Sequence, residues 1–181
     1  MTSTPGFTGL ILAGGRASRM GRDKALLQIG GVTLLNHARG LLREAGATQT
    51  FILGRPDEAD GLADSEPGAG PARAISSAIK VLSRDDMTRF LVIPVDMPNL
   101  TSACLLDLME AGISAYYHEQ PLPLFVLAEN LNEDARQARS VRDFARALEA
   151  LTIPAPSDAR LFANINTPDE FERLSASYQP R

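Results

Sequence analysis

The feature that most constrains the fold is an alternation. Short apolar runs are separated by longer segments with helical spacing. "FTGLILA" (7–13) reads as a buried strand with Gly-Gly beyond it, "QTFILG" (49–54) as a second, and "RFLVIPVDMP" (89–98) as a third that ends in an acid. Between them, "VTLLNHARGLLREAGA" places Leu34, Leu35, Ala38, Leu41, Leu42 and Ala45 on one helical face, with Gly46 as its C-cap. A helix is predicted over Ala72 to Leu82, and another over "SACLLDLMEAG" (102–112). Strands that alternate with helices in this way predict an α/β fold. Its central sheet is mainly parallel, with helices on both faces.

The later part of the chain departs from strict alternation. "ISAYYHEQPLPLFVLAEN" (113–130) reads as one or two strands with a proline-containing turn, so a small mixed section is expected at one side of the sheet. "SVRDFARALEAL" is amphipathic, with Val141, Phe144, Ala145, Leu148 and Leu151 on one face. In "FANINTPDEFERL" (162–174), Thr167 as N-cap, Pro168 at N1 and Glu170 at N3 form a capping box. Residues 56–71, rich in Pro, Gly and acids, read as a loop whose acids serve as solvated charge. A length of 181 residues fits a single domain over 1–181 with a real core.

Composition narrows the function. A net charge of −4 gives no footprint for nucleic acid. No run approaches the ~20 apolar residues of a membrane span, and the opening "MTSTPGFTGLILAGG" lacks the basic region of a signal peptide. The lone Cys104 excludes an internal disulfide and a thiolate metal cage, and it reads as a buried, inert thiol. With only His37 and His118, a zinc site of the usual kinds is not expected. These features point to a reducing cytoplasm.

Against this acidic background, "LAGGRASRMGRDKALL" puts four cations (Arg16, Arg19, Arg22 and Lys24) within nine residues, directly after the first strand. In open α/β sheets, ligands bind beyond the carboxyl ends of the strands. Gly14 and Gly15 permit close backbone approach, and Arg19 and Lys24 offer charge to phosphates. The stretch is not a P-loop, because Lys24 follows Asp23 and precedes Ala25, where that motif has Gly-Lys and then Ser or Thr. It also fails the dinucleotide fingerprint, since the glycine after Gly15 is Gly21. A magnesium ligand must therefore come from elsewhere. Asp96, at the end of a buried strand with Pro98 forcing the chain to turn just after it, is the candidate, because magnesium is commonly held by one or two carboxylates plus substrate phosphates.

Taken together, "LAGGRASRMGRDKALL", "IPVDMPNL" and "NINTPDEF" resemble the nucleotidyltransferases of molybdenum cofactor synthesis, and most closely the molybdenum cofactor guanylyltransferase family. The resemblance spans nearly the whole chain. It implies a three-layer, Rossmann-like nucleotidyltransferase fold. The implied reaction moves GMP from GTP to the terminal phosphate of molybdopterin and releases pyrophosphate. Leu12, Ala13 and Gly14 would line guanine and ribose, with Gly15 shaping the loop. Arg19 and Lys24 would bind the triphosphate, Asp64 would contact the nucleotide, and Asp96 would hold Mg2+. Asn164 and Asn166 would line the site, Asn164 as a further metal or phosphate contact, and Gln120 to Leu127 would lie near the pterin side. Transient contact with proteins of cofactor synthesis, or with acceptor proteins, is also implied.

The chain departs from the family pattern in two places. Gly70-Pro71-Ala72-Arg73-Ala74-Ile75 stands where relatives usually have Gly-Pro-Leu-Ala-Gly-Ile, and Gly54 stands where they often present Asn. Three alternatives stay open at this level: a cytidylyltransferase, another nucleotidyltransferase of the same fold, or a non-catalytic nucleotide-binding homologue.

Overall fold

The first apolar run forms β1 (Phe7–Leu12), and it lies at the centre of the parallel part of the sheet. It is flanked on one side by β4 (Ala47–Leu53) and on the other by β6 (Arg89–Pro94), both parallel to it. The computed structural model describes residues 6–14, 23–64, 66–84 and 87–177. A two-stranded ribbon, β2 (Gln28–Ile29) and β3 (Val32–Thr33), leads into helix α1 (Leu34–Glu44). Thr33 caps that helix by accepting from the Asn36 N–H, at 3.2 Å. Beyond α1, Gly46 takes a φ of +94° just past the cap at Ala45.

The main sheet has seven strands. Its order is β5 (Gly61–Leu62), β4, β1, β6, β8 (Gln120–Leu127), β7 (Ala115–Tyr117) and β9 (Leu151–Ile153). β8 pairs antiparallel with both β6 and β7, whereas every other pairing in this sheet is parallel. The expected mixed section is this β8 reversal. The prolines expected to make a turn, Pro121 and Pro123, instead lie within β8, and the chain reverses at His118–Glu119. They are tolerated there because pairing with β6 begins only at Leu124, and the β7 register shifts between Tyr116 and Tyr117.

Side chains alternate across the strands, so both faces of the sheet are buried. Phe7, Ile11, Leu91, Ile93 and Phe125 pack on one face with α1 and α3 (Ser102–Glu110), which Phe162 and Leu174 also reach. Leu10, Phe90, Val92, Leu124 and Val126 pack on the other with α2 (Pro71–Leu82) and with α4 (Glu133–Gln137) and α5 (Val141–Ala147). The result is three layers, helix on sheet on helix. Helix α6 (Pro168–Ser177) closes the described chain. Among the described residues, no helix is long and apolar enough to cross a membrane. Cys104 is buried, as expected.

Candidate active site

Three parallel strand ends converge where β1, β4 and β6 stop. The Val95 N–H donates to the Leu12 carbonyl (3.0 Å), and the Ala13 N–H donates to the Leu53 carbonyl (3.3 Å). These bonds carry the sheet slightly beyond its strands and hold Leu12, Ala13 and Gly14 at the rim of a cleft of about 890 Å³. Gly54 answers Gly14 from β4. Its φ is +81°, and a Cβ placed there would lie 2.6 Å from the Gly14 Cα. The backbones meet so closely that an asparagine at position 54 would not fit without moving one of them.

β6 ends at Pro94, so Asp96 stands two residues beyond the strand in the turn that follows, rather than at the strand end expected from the sequence. Lys24 opens a short 3-10 turn (Lys24–Leu26) capped by Asp23, whose carboxylate accepts from the Ala25 N–H at 3.1 Å. Its ammonium donates to Asp96 Oδ2 at 3.1 Å and to Asn166 Oδ1 at 2.8 Å. The lysine and aspartate side chains are 27% and 20% exposed, so the pair is neither dry nor fully solvated. An ion pair of this exposure adds little to stability. Its value is in placing charge.

Asn164 and Asn166 both line the cleft, because the buried Ile165 between them turns its neighbours outward. The segment is fixed from both sides. The Ile165 N–H donates to the Asp96 carbonyl at 3.0 Å, and Glu170 accepts from the N–H groups of Asn166 (2.7 Å) and Thr167 (2.9 Å). The Glu170 N–H donates in return to Thr167 Oγ1 at 3.3 Å, completing the expected capping box. These bonds hold the Glu170 carboxyl below its ordinary range, the Asn166 N–H first and the Thr167 N–H after it.

Asp64 sits apart from this cluster. It lines an adjoining cavity of about 510 Å³, together with Leu12, Gly14, Gly54, Gly70 and Ala74, and it is half-buried. The Gly14–Gly54 contact is the ridge shared by the two spaces. The Ala74 methyl therefore belongs to a wall of the candidate site. Arg73, which introduces a cation next to it, is directed elsewhere. It forks onto Glu66 (2.8 Å) and also donates to the Arg136 carbonyl.

The acidic loop is more structured than its composition suggested. Gly61–Leu62 adds strand β5, Glu66 holds Arg73, and Glu58 pairs with Arg39 of α1 at 3.0 Å. Of the segment 120–127, Gln120, Pro121 and Leu122 line the main cleft, whereas Leu124, Phe125 and Val126 are buried in the core. Gly15, Arg16, Arg19 and Arg22 lie outside the described residues.

The sequence reading missed Arg55. It lines the cleft directly after Gly54, donates from Nε to the Ala13 carbonyl (3.4 Å), and forms an ion pair with Asp23. A glycine-arginine pair at the end of a strand was the available signal.

Oxygen donors dominate the cluster. The Asp96 carboxylate and the Asn164 and Asn166 amide oxygens suit a hard divalent cation that completes its shell with substrate oxygens. Among the described residues, no group of three or more His, Cys, Asp or Glu side chains forms a self-sufficient metal cage.

Comparison with known proteins agrees with this architecture. The chain is 36% identical to the molybdenum cofactor guanylyltransferase of Xanthomonas euvesicatoria, over 96% of this chain and 97% of that one. Its fold matches that of the molybdopterin-guanine dinucleotide biosynthesis protein A of Archaeoglobus fulgidus. There the TM-score is 0.73 at 21% identity, over 94% of this chain and 97% of the other. A Mycobacterium tuberculosis H37Rv protein solved in complex with manganese shares the fold at a TM-score of 0.63 and 18% identity, over 97% of this chain and 100% of that one. Residues 9–155 match the MobA-like NTP transferase domain, and the chain belongs to that family.

Proposed function

We propose that this protein transfers GMP from GTP to the terminal phosphate of molybdopterin, releasing pyrophosphate and forming the guanine dinucleotide cofactor. One observation carries the reading. Lys24, Asp96 and Asn166, drawn from segments up to 142 positions apart, meet at one point of the cleft beyond the strand ends. The 36% identical guanylyltransferase supports the choice of substrates.

In the reaction, an oxygen of the molybdopterin phosphate forms a bond to the α-phosphorus of GTP. The bond from that phosphorus to the α,β-bridging oxygen breaks, and its electron pair leaves with pyrophosphate. Such a transfer needs no covalent nucleophile from the protein, so positioning and charge do the work. The rim at Leu12, Ala13 and Gly14 takes the nucleoside, with Asp64 on the far side of the Gly14–Gly54 ridge. Lys24, together with Arg19, stabilises the departing pyrophosphate. Asp96, with Asn164 on the same cleft wall, would hold Mg2+, which would supply charge neutralisation to the substrate phosphates. Gln120, Pro121 and Leu122 face the acceptor.

Pyrophosphate release measured with GTP, CTP and UTP, with and without molybdopterin, tests the proposal. Release is expected with GTP and only when molybdopterin is present. Asp96→Asn is expected to lower turnover by about 10²–10³, in line with the loss of other charge-stabilising groups, and to abolish the dependence on magnesium. Release with CTP alone would reassign the nucleotide. GTP binding without release under any condition would make the protein a nucleotide carrier, and unchanged turnover in Asp96→Asn would remove that residue from the chemistry.

A further inference from the structure

We infer that Arg55 is a positioning residue. It ties the Ala13 carbonyl, just past β1, to the Asp23 carboxylate and so sets where Lys24 stands. The consequence for turnover rests on the transferase reading above, but the clamp itself does not. The guanidinium bridges separate parts of the chain: its Nε donates to the Ala13 carbonyl at 3.4 Å, and its other arm pairs with the Asp23 carboxylate. That same carboxylate oxygen caps the turn bearing Lys24, through the Ala25 N–H. Arg55, Asp23 and the Lys24 turn are thus linked in sequence, and the Lys24 ammonium ends the line on Asp96 and Asn166.

The base of the arginine is itself held. Its carbonyl accepts from the Glu58 N–H at 3.2 Å, and a Cβ on Gly61 would lie 1.7 Å from that same oxygen. The preceding residue, Gly54, is fixed against Gly14. An exposed arginine on a mobile tether would gain little from an ion pair. This side chain is 18% exposed, rises from a fixed backbone and presents two donors in a planar fork, so it transmits position. Lysine at this site would keep the charge but gather its donors on one nitrogen, losing the fork that spans the two acceptors.

The composition of the chain supplies a direct test. It contains two lysines, Lys24 and Lys80, and Lys80 lies exposed on α2. Brief acetylation of the intact protein followed by peptide mass spectrometry reads the reactivity of Lys24 against Lys80 in the same molecule. Releasing the clamp should raise that ratio in Arg55→Met by about threefold or more, with a smaller rise in Arg55→Lys. Asp23→Asn should raise it as well, and combining it with Arg55→Met should add little, because both act through one contact.

Turnover should fall about tenfold in Arg55→Met and be partly restored in Arg55→Lys, as expected when a charge-bearing group is misplaced. An unchanged labelling ratio in both single variants, or effects that multiply in the double variant, would overturn the clamp. Circular dichroism of each variant identifies any that fails to fold, and either of the two sites alone then decides. If the wild-type protein releases no pyrophosphate with any nucleotide, the transferase reading fails while the labelling ratio still judges the clamp.

Discussion

At the scale of single residues, the site depends on atoms that are missing. Gly54 occupies left-handed backbone at φ +81°, and its α-carbon faces Gly14 across a gap that no Cβ can share. Gly54→Ala would add both backbone strain and a clash with main chain, neither of which a rotamer change relieves. The expected cost is about 2–4 kcal/mol, read from urea denaturation. Gly14→Ala should cost less, because its Cβ would meet the Gly54 Cα at 3.2 Å rather than 2.6 Å. Equal stability of Gly54→Ala and wild type would refute the close approach. The same contact shows that the ridge between the two cavities is built from backbone. Lys24 and Asp96 were legible in the sequence because their chemistry is written in their identities, one beside a glycine turn and one before a proline. Arg55 was not. It matters only because parallel pairing sets Leu12 against Leu53, and no local pattern in the sequence states that register.

At the scale of elements, the start of α6 does two jobs. Glu170 caps the helix and, through the Asn166 N–H, orients a residue of the candidate site. Glu170→Ala should therefore lower turnover by about threefold beyond what loss of the cap does to the helix, while Glu170→Gln, which retains an acceptor, should keep most of it. The carboxyl is held below its ordinary value of about 4.5, so its contribution to stability is present above that value and is lost as pH falls through the lowered one. Wild type and Glu170→Ala should accordingly converge in stability in strong acid; a gap that persists there would show that the carboxylate is not the cause. This capping box was readable from Thr167-Pro168-Asp169-Glu170 alone, because all its groups are local. Strand β5 was hidden for the opposite reason. Two residues set in an acidic loop become a strand only because Ile52 and Leu53 offer a free edge. The prolines of β8 misled in a similar way, since a sheet tolerates them wherever one neighbour stops short.

At the scale of the molecule, the cleft lies where the parallel strands meet the part reversed by β8, so the two parts must be held together firmly. The core layer containing Phe7 and Ile11 continues without a break to Ala115, Tyr117 and Phe125, and a single cooperative unfolding transition is expected from it. Tyr117 is a principal tie. Its ring meets Phe162 edge-on at 5.3 Å, and its hydroxyl lies 2.8 Å from both the Cys104 carbonyl and Asp107 Oδ2 on α3. Burial, then the hydrogen bond to Asp107 and its negative charge, push the phenol well above its ordinary value of 10.0. The sign follows from proton linkage. Above about pH 10 the unfolded chain releases this proton while the folded one keeps it, so stability is fully present below that value and falls as pH rises past it. Tyr117→Phe should cost about 1–2 kcal/mol near neutral pH, from the lost hydrogen bonds. It should also show a shallower decline than wild type between pH 8 and about pH 10.5, because the group responsible has been removed. Urea denaturation at several pH values measures both effects. Parallel declines in the two proteins would mean that Tyr117 does not hold its proton against the alkaline solvent, and that the tie to α3 is weaker than its geometry indicates.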